Sequence, residues 1–435
     1  MNLNLTVKIE ERKEKARKAP IEVFPDPETA VILTLQHAGA PNAPLVSVGD
    51  KVSIGQKIAD SEETISAPVH SPISGKVVKI GDAYNFKQTG LSQAIFIEND
   101  GKKRKDKTLK PISESELKDV SNDFLVKRVR EAGIIGLGGA GFPTHLKLSP
   151  PSDKPIKHLV VNACESEIYN TSDERLLIEK TSSILKGVKV MRKVLGYPEV
   201  VIATKNNKIE AVERLEEAFS GEPDTRIVAR PFTYQQGDAG LLQKALFGWE
   251  VNAEKRSYEM GVVVHNVATI NAVAKAVFEG EPLISRVTTL TGDIEEPKNL
   301  LVKIGTPVGH ILDYFKVDPN DIRKVVLGGV MMGKSIPTTK APVAKLTSSI
   351  IVFSKSKYKP VKRRTDCIRC SKCISACPLH LHPVLIVEAI EKGDIERAKS
   401  LHMTDHFECG MCSYVCPSGI PLAEIIRSCV RTLHC

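Results

Sequence analysis

Nine of the ten cysteines lie between Cys367 and Cys435, and seven of those nine stand in two copies of one spacing. The first copy is Cys367-x2-Cys370-x2-Cys373-x3-Cys377-Pro378, the thiolate run that binds a cubane iron–sulfur cluster. Three thiolates at three-residue steps wrap one cubane, while the fourth, followed by proline, turns toward a neighbouring cluster. The second copy is Cys409-x2-Cys412-x3-Cys416-Pro417. Exchanging the fourth ligands gives one [4Fe–4S] site Cys367, Cys370, Cys373 and Cys416, and gives the other Cys409, Cys412 and Cys377. The second set is one short. Where the repeat calls for cysteine stands His406, so three solutions are open: His406 ligates, Cys429 or Cys435 folds back, or one iron is lost. Histidine ligation would raise that cluster's reduction potential. Zinc also binds Cys-x2-Cys pairs, but four regularly spaced cysteines and a Cys-Pro doublet in both copies exceed what zinc needs.

Cysteines confined to one region argue against a disulfide framework and for a reducing compartment. No window nears the ~18 apolar residues of a membrane span, and the N-terminus lacks the apolar stretch of a signal peptide, so a cytosolic chain is expected. At 435 residues the chain should hold several domains. Residues 1–26, with Lys13, Lys15, Arg17 and Lys18, form a basic segment expected to be a solvated arm. Residues 27–100 show short β runs broken by turns, with Gly49 and Gly75 expected at turns. An exposed basic linker follows at 101–110. From 118 to 285, strand-like and helical runs alternate, which predicts βαβ units and a mainly parallel sheet. Residues 286–353 predict a compact α+β module. Residues 365–435 form the two-cluster region, with two helices hinged at Gly393.

A glycine-rich loop, Gly136-Leu-Gly138-Gly139-Ala140-Gly141-Phe142-Pro143-Thr144-His145-Leu146-Lys147, follows a predicted helix rather than a strand, unlike a dinucleotide fingerprint. Glycine lets backbone N–H groups approach an anion, and Lys147 can add charge. Cys164 is expected to be a small buried residue, with no histidine nearby to make it a nucleophile. The loop, the run Asn162-Ala-Cys164-Glu165-Ser-Glu167, the stretch Asn266 to Thr269, and the paired cysteine motifs share one order with a known family. They resemble the flavin-binding subunit of complex I and, more closely, the C subunits of Rnf electron-transport complexes.

The resemblance implies a multidomain α/β chain. Its parts would be an N-terminal all-β barrel-sandwich hybrid, a central Rossmann-like FMN-binding domain, a β-grasp module of the soluble-ligand-binding type, and an α-helical two-cluster domain resembling ferredoxins. It further implies FMN on the glycine loop, with Lys147 near the phosphate and Asn162, Glu165, Asn266 and Thr269 around the cofactor. Phe142 would stack on NAD(H), with Glu167 on its ribose side. Ile168 stands where the family has proline, and Tyr234-Gln-Gln-Gly237-Asp238 replaces the paired glutamates of complex I, so FMN is better supported than NAD(H).

A flavin joins two-electron NADH to one-electron clusters. The expected role is therefore a peripheral electron-transfer subunit on the cytoplasmic side of the membrane, working with other Rnf-type subunits and with ferredoxin. Ion transport would fall to other chains. The alternatives are a flavin and iron–sulfur cobalamin reductase of a bacterial microcompartment and a flavin-free electron-wire adapter. The net charge of +9 suits an acidic partner or an anionic membrane surface. Aromatics at 5%, and basic clusters confined to linkers, argue against nucleic acid.

Overall fold

The computed structural model describes residues 7, 9–249, 256–359 and 363–433. Cys435 lies outside them. The β-rich unit is an antiparallel sheet of Thr29–Leu33, Gly90–Asn99, Gly75–Asn85 and Lys51–Val52, faced by Ala43–Pro44, Lys57–Asp60 and Val69–His70. Alternating inward residues such as Ala30, Ile32, Val52, Ile58, Val77, Ile95 and Ile97 form its own core, as period-2 patterning requires. Gly75 begins a strand rather than occupying a turn. A Cβ there would lie 1.9 Å from the Glu98 carbonyl oxygen, so close cross-strand approach is what requires glycine.

The central domain is a wholly parallel sheet in the order Thr225–Arg230, Glu199–Lys205, His158–Ala163, Val262–Asn266. Both faces are covered, so its strands are near-continuous apolar runs such as Glu199-Val-Val-Ile-Ala. Helices Ser172–Glu179, Thr181–Val194, Ile209–Phe219 and Val267–Ala274 supply the cover.

The third unit is a mixed sheet. A hairpin of Ser285–Gly292 and Lys298–Lys303 leads through helix Val308–Tyr314 to Ile322–Leu327 and Lys334–Ile336. Ser349–Ser354 then returns parallel to Ser285–Gly292. The last unit is helical: Lys372–Ser375, Pro383–Glu391, Ile395–Ser400, Met411–Tyr414 and Leu422–Leu433. No described helix is long and apolar enough to cross a membrane.

The expectation of a solvated arm fails over the described part of residues 1–26. Strand Ile21–Val23 extends the mixed sheet beside Asn299 to Leu301, and helix Glu14–Lys18 buries Ala16. Lys13 is only 1% exposed, its ammonium donating to the Glu165 carbonyl at 2.5 Å. Arg17 pairs with Glu174 at 2.8 Å and Glu11 with Lys205 at 2.5 Å. A charge run stays in water only when no opposite charge awaits it, and these partners lie far along the chain.

Candidate functional site

In a parallel sheet, ligands bind outside the carboxyl ends of the strands where strand order reverses. Here that crevice lies between His158–Ala163 and Val262–Asn266, whose ends place Asn162 and Asn266 side by side. Asn266 caps its helix by accepting from Ala268 N at 2.9 Å. Its amide also donates to Asp173 Oδ2 at 2.6 Å. Asn162 donates to the Gly237 carbonyl at 2.8 Å and accepts from Cys164 N at 3.2 Å.

The glycine loop sits on this crevice, Gly138 so close that a Cβ would come 3.0 Å from Asn266 Cβ. Its carbonyls are tied back one by one. Arg286 donates to Leu137 O at 3.0 Å, Lys87 to Gly139 O at 2.7 Å, and Gly141 N to Gly136 O at 3.1 Å. In a trans peptide, C=O and N–H point in opposite directions. Holding the carbonyls of Leu137 and Gly139 to these cations therefore turns the N–H groups of Gly138 and Ala140 away from them. Neither donates to a described residue, nor does Gly139 N–H between them. Successive free N–H groups in one turn make an anion-binding nest, and a flavin phosphate fits this donor set.

The remaining predicted residues divide. Lys147 is half-buried at the same end, donating to Val264 O at 3.1 Å, and burial lowers its pKa. Thr269, fully buried, lies beneath the loop and accepts from Leu137 N at 2.9 Å. Glu165, at the left-handed φ of +44°, also faces inward. Its carboxylate accepts from Asp173 N at 2.6 Å and pairs with Lys208 at 3.3 Å. Phe142 is half-buried, its carbonyl accepting from Gly136 N at 2.8 Å. Cys164 is fully buried, and burial pushes its thiol up to about 11, which leaves it un-ionised and a poor nucleophile.

Glu167 reaches another way, to the loop 328–333, accepting from Met331 N at 3.2 Å and Met332 N at 2.9 Å. Burial raises its pKa. Beside it lies Tyr234, 7% exposed, whose phenol is raised by burial and then by the Glu167 and Cys409 charges. Tyr234, Cys409 and Met411 form one apolar cluster, with Met331 and Phe407 packed on it. The cluster region thus docks against the central domain through Cys409.

The seven motif cysteines sort into two groups. Cys367, Cys370, Cys373 and Cys416 line one cleft of about 330 Å³, in which Cys370 is exposed. Cys409 and Cys412 are buried; the Cys377 charge acts on both, and the Cys373 charge acts on Cys412 as well. Burial pushes the Cys409 and Cys412 thiols up to about 11 and about 12. Ionising them requires a compensating cation, which iron supplies. His406 Nε2 stands 4.0 Å from Cys412 Sγ.

Three family descriptions match the chain: the RnfC barrel sandwich hybrid domain at residues 2–102, the Nuo51 FMN-binding domain at 129–275 and the 4Fe-4S dicluster domain at 366–420. The C subunit of the proton-translocating ferredoxin:NAD(+) oxidoreductase complex of Clostridium ljungdahlii is 38% identical over 395 residues, covering 90% of this chain and 84% of that one. The chain belongs to the family of Rnf complex C subunits. Its counterpart in the Na(+)-translocating complex of Acetobacterium woodii is 34% identical, covering 91% of this chain and 88% of that one. An NAD+-reducing [NiFe]-hydrogenase structure is 19% identical with a TM-score of 0.49, covering 71% of this chain and 61% of that one.

As a member of the RnfC family, the chain carries an FMN-binding domain and a 4Fe-4S dicluster domain, and the zinc alternative falls away. Sequence reasoning missed the residues that shape the nest. Arg286 opens the motif Arg-Val-Thr-Thr-Leu-Thr-Gly, yet nothing in that motif says that its guanidinium crosses to Leu137 O. Asp173, buried against Asn266, is pushed up to about 6 by burial and then by Glu165. Lys13, Lys87 and Lys208 are single cations whose partners only the fold reveals.

Proposed function

We propose that this chain is the peripheral NADH- and FMN-binding subunit of an Rnf-type complex. On this reading it lies on the cytoplasmic face and exchanges electrons between NAD(H) and ferredoxin with other subunits, which move the ions. The Clostridium and Acetobacterium relatives are both named as ferredoxin:NAD(+) oxidoreductase subunits. The observation that carries the reading is the docking of the buried ligand set, through Cys409, on Tyr234, whose loop reaches the crevice where Gly237 O accepts from Asn162.

FMN, when bound, would supply the conversion between the two-electron chemistry of a hydride and the one-electron chemistry of iron–sulfur clusters. The N–H groups of Gly138, Gly139 and Ala140 would hold its phosphate, with Lys147 as the half-buried cation nearby. Asn162 and Asn266 line the crevice, and Glu165 and Thr269 support it from beneath. Phe142 and Glu167 stand on the nucleotide side, Glu167 being held by the Met331 and Met332 amides. Tyr234 and Met331 pack with Cys409 in one apolar cluster, which would keep the inner site's cysteine side away from water.

Cys377, Cys409 and Cys412 hold the inner site and Cys367, Cys370, Cys373 and Cys416 the outer. Ile368 and Arg369 are exposed on the cleft of the outer one, which Glu388 also lines, and exposed Lys372 follows in sequence, an apolar contact beside cations that suits an acidic redox partner. Anaerobically reconstituted protein should contain FMN together with the iron and sulfide of two clusters, and NADH should bleach the flavin. Gly139→Val or Lys147→Ala should remove flavin while leaving iron intact. Brown protein without extractable flavin would refute the assignment.

A further inference from the structure

The two cysteine motifs share a backbone as well as a spacing, and the correspondence extends beyond the cysteines. Left-handed residues stand at Arg369, Ser371 and His380 in the first copy and at Glu408, Gly410 and Gly419 in the second. Short helices Lys372–Ser375 and Met411–Tyr414 follow at equivalent places. Positive φ is uncommon outside glycine, so three matched positions and a matched helix mark one ligand-binding turn built twice. In that correspondence Cys370, Cys373 and Cys377 answer to Cys409, Cys412 and Cys416, and Cys367 answers to His406.

The side chain occupies the place its backbone assigns. His406 Nε2 lies 4.0 Å from Cys412 Sγ, and Nδ1 is buried with no hydrogen-bond partner among the described residues. Cys429, the other described candidate, sits half-buried on helix Leu422–Leu433 against the helical core that includes Cys373 and Cys412, and it lies outside both copies of the motif.

We propose that His406 is the fourth ligand of the inner cluster, completing Cys377, Cys409 and Cys412 through its imidazole Nε2. The inference rests on the iron–sulfur reading of the tail and adds the identity of the missing ligand. A neutral imidazole in place of a thiolate removes one negative charge from the site, which favours the reduced cluster. The inner position then has the higher potential of the two, whereas the outer position has only thiolates.

The test is pulsed electron paramagnetic resonance on full-length protein, reconstituted anaerobically with iron and sulfide and measured both oxidised, where a three-iron cluster shows, and reduced with dithionite, where four-iron clusters show. Wild type should show strong nitrogen coupling from a metal-bound imidazole. His406→Cys should lose that coupling, keep two four-iron clusters, and move one midpoint potential to a more negative value while the other stays fixed. His406→Ala should convert one cluster to a three-iron form, and Cys429→Ala should match wild type. Wild type without strong nitrogen coupling, or with a three-iron signal already present, would overturn the assignment. So would Cys429→Ala abolishing one cluster. Protein devoid of iron and sulfide would sink the electron-transfer reading itself, a result distinct from two clusters without the nitrogen coupling.

Discussion

Replacing Thr269 by valine tests whether the nest is held from beneath. The substitution keeps the shape and removes one oxygen, the only described acceptor for Leu137 N–H, at 2.9 Å. Leu137 is 5% exposed, so the orphaned N–H costs about 1–3 kcal/mol if it stays dry. The weaker bond from Thr269 Oγ1 to Ile135 O, at 3.4 Å, adds little. A loss near 2 kcal/mol can appear in two places. If the loop stays closed, the domain melts about 4–8 °C lower and FMN affinity is unchanged. If the loop opens to water, stability is spared, but FMN must close it again, and affinity falls about 30-fold at 1.4 kcal/mol per factor of ten. Because opening also frees the Leu137 carbonyl from Arg286, a mixture of both effects is expected. Calorimetry of the apo protein and FMN fluorescence quenching measure the two parts, with Thr269→Ser as the control that restores both. If valine leaves melting temperature and affinity at wild-type values, the loop is held by its own turns and the support argument is wrong.

Asp173→Asn should remove a cost that grows with pH. A carboxyl held near pKa 6 in the folded state binds its proton more tightly than when unfolded, so wild-type stability falls between about pH 4 and pH 6. The variant should gain on wild type over that window, by at most about 3 kcal/mol, and the gap should stay level above it; urea melts across the range measure it. Gly187→Ala should destabilise despite the better helix former, because the new Cβ would lie 2.2 Å from the Ile270 carbonyl oxygen. Overpacking of about 1–3 kcal/mol outweighs the ~1 kcal/mol gain in propensity, and FMN affinity should drop as the helix bearing Thr269 shifts. Glu167→Gln should raise KM for NADH several-fold with flavin content unchanged, as seen in steady-state kinetics with an artificial acceptor. Reversing Arg369 and Lys372 to glutamate should slow electron delivery to an acidic partner and flatten its salt dependence, while NADH still bleaches the flavin at the wild-type rate.

What the sequence disclosed and what it concealed divide along a physical line. The cysteine sets, the glycine turn and the parallel βαβ core depend on spacing within a few tens of residues, and short-range spacing is what a sequence displays. The basic segment near Lys13 reads as solvated because the groups that neutralise its cations, Glu165 and Glu174, arrive only when the central domain folds against it. Arg286 and Lys87 are invisible for the same reason. Each comes from a flanking unit and acts on a single carbonyl of the loop, so no local pattern marks it. These two cations share a consequence: the nest is shaped by three units at once, its turn from the central domain, Lys87 from the barrel-sandwich unit and Arg286 from the mixed sheet. The flanking modules therefore take part in binding the anion, although neither supplies a group that touches it. Neutralising either cation should weaken FMN binding, because it frees a carbonyl whose position sets the direction of the N–H group in the same peptide.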